Sequence, residues 1–185
     1  MEIDPTTLRI EIYPAEILRV RADEVDPTPN VAAVAARMLE LMASADGIGL
    51  AAPQAGLPWR LFVAHVPPDD ERSAAGDLPT ATAGPEVYIN PVFESFEGDP
   101  EPLSEGCLSL PGITGDVRRP PIAAMSWTTT TGERVTRRAA GLLARCWQHE
   151  MAHLGGVLLI DKMTDTARRK AMPGIRNLSR QAGLR

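Results

Sequence analysis

Apolar side chains at helical spacing mark an amphipathic helix in the first third of the chain. Within residues 29–44 they recur every three or four positions, which is the period of one helix face. The positions on this face are Val31, Val34, Ala35, Met38 and Met42. Thr28 can cap the first turn, and Pro29 loses no hydrogen bond at the first helical position. The pattern therefore predicts a helix over residues 29–44.

Shorter apolar runs predict strands in the middle of the chain. Residues 60–66 (RLFVAHV) and 86–90 (EVYIN) are rich in the branched and aromatic residues that strands prefer. Pro91 is expected to stop the second of these strands, since proline cannot donate to a strand ladder. Residues 122–138 alternate loosely around Thr131 and Gly132, which predicts a hairpin.

Two segments between these elements are predicted to be irregular. Residues 46–56 (DGIGLAAPQAG) hold too much glycine and proline for a helix or a central strand, so we expect a structured loop. Residues 67–84 are rich in proline, aspartate, alanine and glycine. We expect them to form a surface excursion with little chemistry in it.

A second long helix is predicted for residues 139–153 (AAGLLARCWQHEMAH). Leu154, Gly155 and Gly156 follow it, and a glycine suits the end of a helix. The order of a helix, scattered strands and a carboxyl-terminal helix favours an α+β fold over a regular alternation of strands and helices. We therefore expect one compact α+β domain, with antiparallel or mixed strands packed around this second helix.

Composition and charge exclude several classes of protein. A net charge of −5 argues against a general nucleic-acid binder, because phosphate contacts need a basic surface. No apolar run approaches the roughly 18 residues of a membrane span, and the first residues lack the features of a signal peptide. Two cysteines are too few for a disulfide framework, so a reducing cytoplasm is the expected location.

The sharpest candidate for chemistry is the motif HEMAH inside the second predicted helix. His149 and His153 lie one turn apart on the same helix face, so both imidazoles can reach one metal ion. Glu150 is placed for its carboxylate to act on water that the metal activates. The alternative is a solvated helix face that carries this motif by chance. That alternative explains poorly why two of only three histidines in the chain fall in this register.

The third ligand must come from upstream of this motif. Position 159, where a longer metal-binding pattern has a histidine, is Leu159, and residues 154–185 contain neither histidine nor glutamate. The upstream candidates are His65, Cys107, Cys146 and several carboxylates. A metal ion held between His149 and His153 would lie about one helical turn, roughly 5 Å along the helix axis, from Cys146. Cys146 is therefore better interpreted as a small buried residue of the pocket wall. His65 fits a partly buried strand residue, and Cys107, next to a glycine that allows close backbone approach, is the preferred ligand.

Three segments together resemble the peptide deformylase family. They are GIGLAAPQ at residues 47–54, EGCLS at residues 105–109 and QHEMAHL at residues 148–154, in the family's order and spacing. The resemblance covers about residues 8–163 and identifies residues 1–185 as one catalytic domain with a basic tail over residues 164–185. It implies a metal-dependent hydrolase that removes the N-formyl group from the N-terminal formylmethionine of nascent polypeptides and releases formate.

The resemblance also implies the residues of the metal site. Cys107, His149 and His153 correspond to the ligands of one divalent ion, with iron(II) expected and zinc, nickel or cobalt able to replace it. Ligand type alone cannot separate these ions. Glu150 corresponds to the residue that accepts a proton from water and later delivers it to the departing amine.

By the same resemblance, the Gln54 side-chain amide and the Leu108 backbone N–H stabilise the oxyanion that forms on the formyl carbonyl. The formylmethionyl peptide is expected to bind in an extended, strand-like manner. Its expected contacts are backbone groups at Ile48, Gly49 and Gly106, together with Leu142, Cys146 and the stem of Glu105 around the methionine side chain. A cramped site would admit the formyl group, whose carbonyl carbon carries only hydrogen, and reject ordinary peptide bonds.

One position departs from the family's pattern. The third segment usually has an aspartate immediately before the second histidine, where this chain has Ala152. In the family that aspartate commonly pairs with an arginine that corresponds to Arg119. The ligands and Glu150 are intact, so the departure concerns only how firmly the metal helix is tied to its neighbours. We expect that Arg119 has found another partner or water.

Two rival functions and the role of the tail stay open. A metallopeptidase with a cysteine ligand would share the chemistry but cleave peptide bonds. A family member without turnover would bind metal or peptide only, although such a protein needs neither Glu150 nor Gln54.

Residues 164–185 hold six basic residues against one aspartate, a local net charge of +5 that leaves −10 elsewhere. This tail could help the enzyme approach the ribosome transiently, or it is a solvated basic end that balances an acidic body.

Overall fold

The computed structural model describes residues 2–68 and 76–183. The helices are α1 (Pro29–Ser44), α2 (Gly141–Leu154), α3 (Leu159–Lys162) and α4 (Asp165–Gln181). The strands are β1 (Gly49–Ala51), β2 (Leu61–Ala64), β3 (Glu86–Glu97), β4 (Glu101–Gly106), β5 (Thr114–Arg119), β6 (Ile122–Thr128) and β7 (Arg134–Ala140). Short 3₁₀ turns cover Pro5–Thr7, Glu16–Arg19 and Ala52–Ala55. No helix in this part of the chain is long and apolar enough to cross a membrane.

Helix α1 has the bounds that its apolar pattern predicts. The Thr28 hydroxyl accepts a hydrogen bond from the Val31 N–H at 3.2 Å, and Pro29 occupies the first turn. All five apolar positions of the predicted face are buried. The prediction is confirmed because cap, proline and periodicity are all local features.

A five-stranded antiparallel sheet, in the order β1-β2-β3-β6-β7, forms the centre of the domain, and β4 and β5 form a separate antiparallel pair. Successive side chains of β2 point to opposite faces. Leu61 and Val63 pack in one cluster with α1, whereas Phe62 and Ala64 pack in another with α2. The sheet therefore separates α1 from α2. This arrangement confirms the predicted α+β fold, although α3 and α4 follow α2 in the chain.

Strand β3 continues through Pro91 to Glu97, so the prediction that Pro91 stops this strand is wrong. On one side of β3, only residues 86–89 pair with β2, so Pro91 lies beyond this ladder. On the other side, the register with β6 shifts between Ile89 and Val92, and Asn90 adopts a φ of 48°. Proline is tolerated there because the bulge already interrupts the ladder of hydrogen bonds.

The glycine-rich segment 46–56 is more ordered than a loop, because it contains β1 and the 3₁₀ turn Ala52–Ala55. As predicted it is not a central strand, since β1 lies at the edge of the sheet.

Strand β2 ends at Ala64 and His65 is exposed, so the interpretation of His65 as partly buried is wrong. Of the predicted surface excursion, residues 69–75 lie outside the described part. Thr82 lies within that part, is buried, and its N–H donates to the Val66 carbonyl at 3.0 Å.

The predicted hairpin and second helix are both present, with shifted boundaries. Strands β6 and β7 pair antiparallel around a turn that ends at Gly132. Helix α2 begins at Gly141, two residues later than predicted, because β7 extends to Ala140. It ends at Leu154, and Gly156 adopts a φ of +72°, which confirms the predicted glycine stop.

The basic carboxyl-terminal segment is a helix that packs on the domain through its apolar side. Ile175 and Leu178 of α4 are buried in a cluster that also contains Ile113 and Val117 from the region of β5. The charged residues Arg168, Arg169, Lys170, Arg176 and Arg180 are exposed, and Arg185 lies outside the described residues. The segment is therefore part of the domain and presents a basic outer face.

Candidate active site

The three predicted metal ligands lie together. The ligand atoms of Cys107, His149 and His153 all lie within 4.8 Å of one another. The Cys107 Sγ is 3.3 Å from His153 Nε2, which is 3.2 Å from His149 Nε2. Cys107 directly follows β4, and the histidines lie one turn apart on α2. The hairpin β4–β5 therefore contributes the thiol and the helix contributes both imidazoles.

Cys146, also on α2, is buried outside this cluster. Its Sγ donates to the Ile48 carbonyl at 3.7 Å, and burial raises the pKa of its thiol well above the usual range. A thiol held in this way packs as a small neutral side chain. The structure thus separates the two cysteines as the helix geometry predicts.

Glu105 lies at the centre of a buried network that the sequence did not reveal. Its side chain is 7% exposed and its carboxylate accepts hydrogen bonds from Arg119 at 2.6 and 2.7 Å and from Arg145 at 2.7 Å. The same carboxylate lies 3.0 Å from His149 Nδ1. Burial alone would raise the pKa of this carboxyl, but the hydrogen bonds from Arg119 and His149 outweigh it and lower the pKa to about 2. Glu105 is therefore ionised at neutral pH.

Arg119 has another partner, as we expected from the alanine at position 152. Its Nε and Nη2 both donate to the Glu105 carboxylate, and its side chain is 7% exposed. Such a bidentate pair satisfies the charge without an aspartate at position 152.

Arg145 is one residue of the site that sequence reasoning missed. It lies on α2, four residues before His149, and donates to the carbonyls of Val117 at 3.0 Å and Glu101 at 2.9 Å as well as to Glu105. The available signal was a charged residue within the otherwise apolar run from Leu142 to Trp147, because arginine is seldom buried unless it is paired. Its partners lie far away in the chain and could not be named from the sequence.

Glu150 is buried beside the cluster, with 4% of its surface exposed. Burial raises the pKa of its carboxyl to about 7, against the opposing effect of His149 and Arg119. Gly49 packs against this carboxylate. A Cβ at position 49 would lie 2.4 Å from Glu150 Oε1 and 2.9 Å from Cys146 Sγ, so only glycine fits there.

The two imidazoles differ in their affinity for protons. Burial alone lowers the pKa of His149, but its interactions with Cys107 and Glu105 outweigh burial and raise the pKa to about 10. For His153, burial and the neighbouring charge of His149 both lower the pKa well below its usual value. Because a metal ligand must offer a lone pair, metal binding requires His149 to release a proton.

Gln54 is held in the 3₁₀ turn with its amide directed at the ligand cluster. Its Oε1 accepts the Ala51 N–H at 2.9 Å, which fixes the side chain. Its Nε2 donates to Cys107 Sγ at 3.5 Å and to the hydroxyl of Ser109 at 3.3 Å. The serine, fully buried, is a second residue that sequence reasoning did not single out.

A cavity of about 580 Å³ opens onto this cluster. All six residues predicted to bind the substrate line it: Ile48, Gly49, Glu105, Gly106, Leu142 and Cys146. Gln54, Leu108, Cys107, His149 and Glu150 also contribute to its wall. The structure therefore brings together the residues of all three sequence segments around one cavity.

Comparison with known proteins identifies the family. The family model for polypeptide deformylase matches residues 7–169. The chain belongs to this family. A peptide deformylase of Thermosynechococcus vestitus is 41% identical over 86% of this chain and 80% of its own length. Peptide deformylase 2 of Gloeobacter violaceus is 44% identical over 72% of this chain and 66% of its own length.

Solved structures agree with this assignment. The crystal structure of a peptide deformylase from Synechococcus elongatus in complex with actinonin has a TM-score of 0.78 at 37% identity and covers 98% of this chain and 90% of its own. The predicted function is confirmed: the chain is a metal-dependent hydrolase that removes the formyl group from N-terminal formylmethionine.

Proposed function

We propose that Cys107, His149 and His153 hold one divalent metal ion and that Glu150 moves the protons of formyl hydrolysis. The observation that carries the proposal is the convergence of three ligand atoms within 4.8 Å beside a buried carboxylate. One thiolate and two imidazoles would supply three ligands to such an ion and leave room for water or substrate, as catalytic sites require. When bound, the ion supplies Lewis-acid chemistry, since it polarises a carbonyl oxygen and lowers the pKa of water.

Iron(II) is the ion we propose, with zinc, nickel or cobalt as substitutes. The donor set fits all four, because imidazole and thiolate ligands accept several first-row ions. The proposal of iron rests on the family resemblance and not on the geometry of the three side chains.

Glu150 is suited to both halves of the proton transfer. A carboxyl whose pKa is about 7 can accept a proton from the attacking water and return it to the departing amine at neutral pH. Within the described residues its Oε2 has no hydrogen-bond partner, although the atom is buried. This oxygen is therefore available to the water and then to the amine nitrogen.

Gln54 and Leu108 are proposed to stabilise the oxyanion. The Gln54 Nε2 donates to Cys107 Sγ, so its N–H groups face the ligand cluster. The Gln54 Oε1 already accepts a hydrogen bond from the Ala51 N–H. Leu108 directly follows Cys107 and lines the same cavity, which supports a role for its backbone N–H beside the ligand cluster. Loss of one such donor typically costs about 3–4 kcal/mol of transition-state stabilisation.

The peptide is proposed to bind along β1. This strand lies at the edge of the sheet, and Gly49 and the preceding Ile48 line the cavity. An extended substrate can add to such an edge through backbone hydrogen bonds. Leu142, Cys146 and the stem of Glu105 then enclose the methionine side chain.

Selectivity for formyl is proposed to come from a cramped site around the ligand cluster. The close approach of Gly49 to Glu150, where even a Cβ would overlap the carboxylate, indicates this crowding. A formyl carbon carries only hydrogen, whereas an acetyl group or a peptide bond adds a carbon that such a site would reject.

We also propose that the enzyme acts in the cytoplasm on nascent chains. Both cysteines are free thiols, as a reducing compartment requires. We propose that the exposed basic face of α4 makes a transient contact with the ribosome, because a cluster of positive side chains attracts an anionic partner.

The test is formate release from a formyl-Met dipeptide by protein purified without air, with metal content measured on the same sample. We expect formate and free amine in equal amounts, no reaction with the acetyl-Met analogue and about one metal ion per chain. Cleavage of the peptide bond, or metal-loaded protein that releases no formate, would overturn the proposal.

A further inference from the structure

We infer that Arg145 and Glu105 are a positioning pair, which sets the distance between the thiol on the β4–β5 hairpin and the imidazoles on α2. The inference rests on the proposed metal site. It assigns to both residues a role in holding the ligands and none in contacting the substrate's reacting atoms. The thiol lies on the β4–β5 hairpin and both imidazoles lie on α2. Contacts between the hairpin and the helix must therefore fix the distance between the ligands.

Arg145 is bonded to both strands of the hairpin at once. Its guanidinium donates to the Glu101 carbonyl on β4 at 2.9 Å, to the Val117 carbonyl on β5 at 3.0 Å and to the Glu105 carboxylate at 2.7 Å. Its side chain is 11% exposed, so water competes little for these bonds. Because Cys107 is the residue after β4, the position of this hairpin determines where the thiol lies relative to α2.

Glu105 also orients the ring of His149, one of the proposed ligands. Its Oε2 lies 3.0 Å from His149 Nδ1, and the opposite nitrogen of that ring, Nε2, points to the ligand cluster. A hydrogen bond from Nδ1–H to the carboxylate selects the tautomer whose Nε2 lone pair is free for a metal. Arg119 and Arg145 hold the other carboxylate positions, so Glu105 cannot rotate away from His149.

The arginine's shape is essential to this role. A planar guanidinium can reach two backbone carbonyls and a carboxylate in one fixed orientation, whereas a lysine ammonium is a single point of charge on a flexible stem. Lysine at position 145 therefore keeps the charge and loses the geometry. Methionine at the same position keeps much of the volume and loses both.

The experiment compares Arg145→Lys, Arg145→Met and Glu105→Gln with the wild-type holoprotein. Zinc transfer to a chromophoric chelator measures metal affinity, the visible spectrum of cobalt-loaded protein reports the geometry at the ion, and steady-state kinetics separates kcat from KM. We expect metal affinity to fall roughly 10- to 100-fold in Arg145→Met and Glu105→Gln, with an altered cobalt spectrum. Arg145→Lys should lie between them and the wild type, with kcat lowered more than KM is raised.

The matched control is Arg138→Met. Arg138 on β7 makes a comparable bidentate ion pair with Glu97 on β3. This pair is about half exposed and includes no residue of the ligand cluster. We expect this variant to keep wild-type metal affinity and cobalt spectrum.

The inference is overturned if folded Arg145→Lys and Glu105→Gln retain wild-type metal affinity and an unchanged cobalt spectrum. It is also overturned if Arg138→Met loses as much affinity as Arg145→Met. These metal readouts do not depend on formate release, so an inactive wild-type protein would count against the proposed function alone.

Discussion

Glu150→Gln is expected to remove most activity and, at the same time, to make folding stability less dependent on pH. Glu150 is 4% exposed, and burial raises the pKa of its carboxyl to about 7. Glutamine has nearly the same size but can neither ionise nor accept the proton of the attacking water. The substitution therefore separates the ionisation of this side chain from its packing.

The magnitude follows from the linkage between proton binding and folding. The ordinary pKa of the carboxyl is 4.5, and in the folded protein it is about 7. Because the folded state holds the proton more tightly, its stability falls as pH rises from about 4.5 to about 7. At about 1.4 kcal/mol for each tenfold difference in proton affinity, the loss amounts to about 3 kcal/mol above pH 7. A buried amide without a partner can cost about 1–3 kcal/mol, but this cost does not vary with pH.

The assay is urea unfolding of the metal-free wild type and Glu150→Gln between about pH 4.5 and about pH 8. Across this range we expect the wild type to lose about 3 kcal/mol more unfolding free energy than the variant. Formate release by the metal-loaded variant should fall roughly 10²- to 10⁴-fold. Glu133→Gln, at an exposed turn position between β6 and β7, is the control and should change neither quantity. Parallel loss of stability in both proteins, or near wild-type turnover in the variant, would refute the reasoning.

The remaining predictions concern the ligand set and the departure at Ala152. Cys107→Ala should abolish metal retention and activity, whereas Cys146→Ala should leave the metal bound, because only the Cys107 sulfur lies in the ligand cluster. Metal analysis after gel filtration checks this, and the opposite pattern would contradict it. Ala152→Asp should be neutral or destabilising, since the Nε and Nη2 of Arg119 already form a bidentate pair with Glu105. Thermal melts of this variant alone and with Arg119→Ala test the point. A stabilisation of about 1–3 kcal/mol that disappears without the arginine would show the reasoning to be wrong.

The sequence by itself determined the features that depend on residues close together in the chain. The bounds of α1 follow from a threonine cap, a proline and a helical period, all within residues 28–44. The separation of Cys146 from the ligands also followed from the sequence, because helix geometry fixes where positions 146, 149 and 153 lie relative to one another. The family was equally accessible, since three short segments carry the proposed metal ligands, Glu150 and Gln54.

Only the tertiary structure decided how those segments are held against each other. Glu105 was expected to line the pocket, and it does, but its carboxylate is shared by Arg119, Arg145 and His149, which lie 14, 40 and 44 residues away. Likewise, Pro91 does not stop β3, because the bulge that tolerates it arises from pairing with β6. A charged residue's burial and the register of a strand depend on which distant segments pack beside it. Local pattern can name a side chain's chemistry, but the low-dielectric surroundings that shift a pKa or fix a tautomer exist only once the chain has folded.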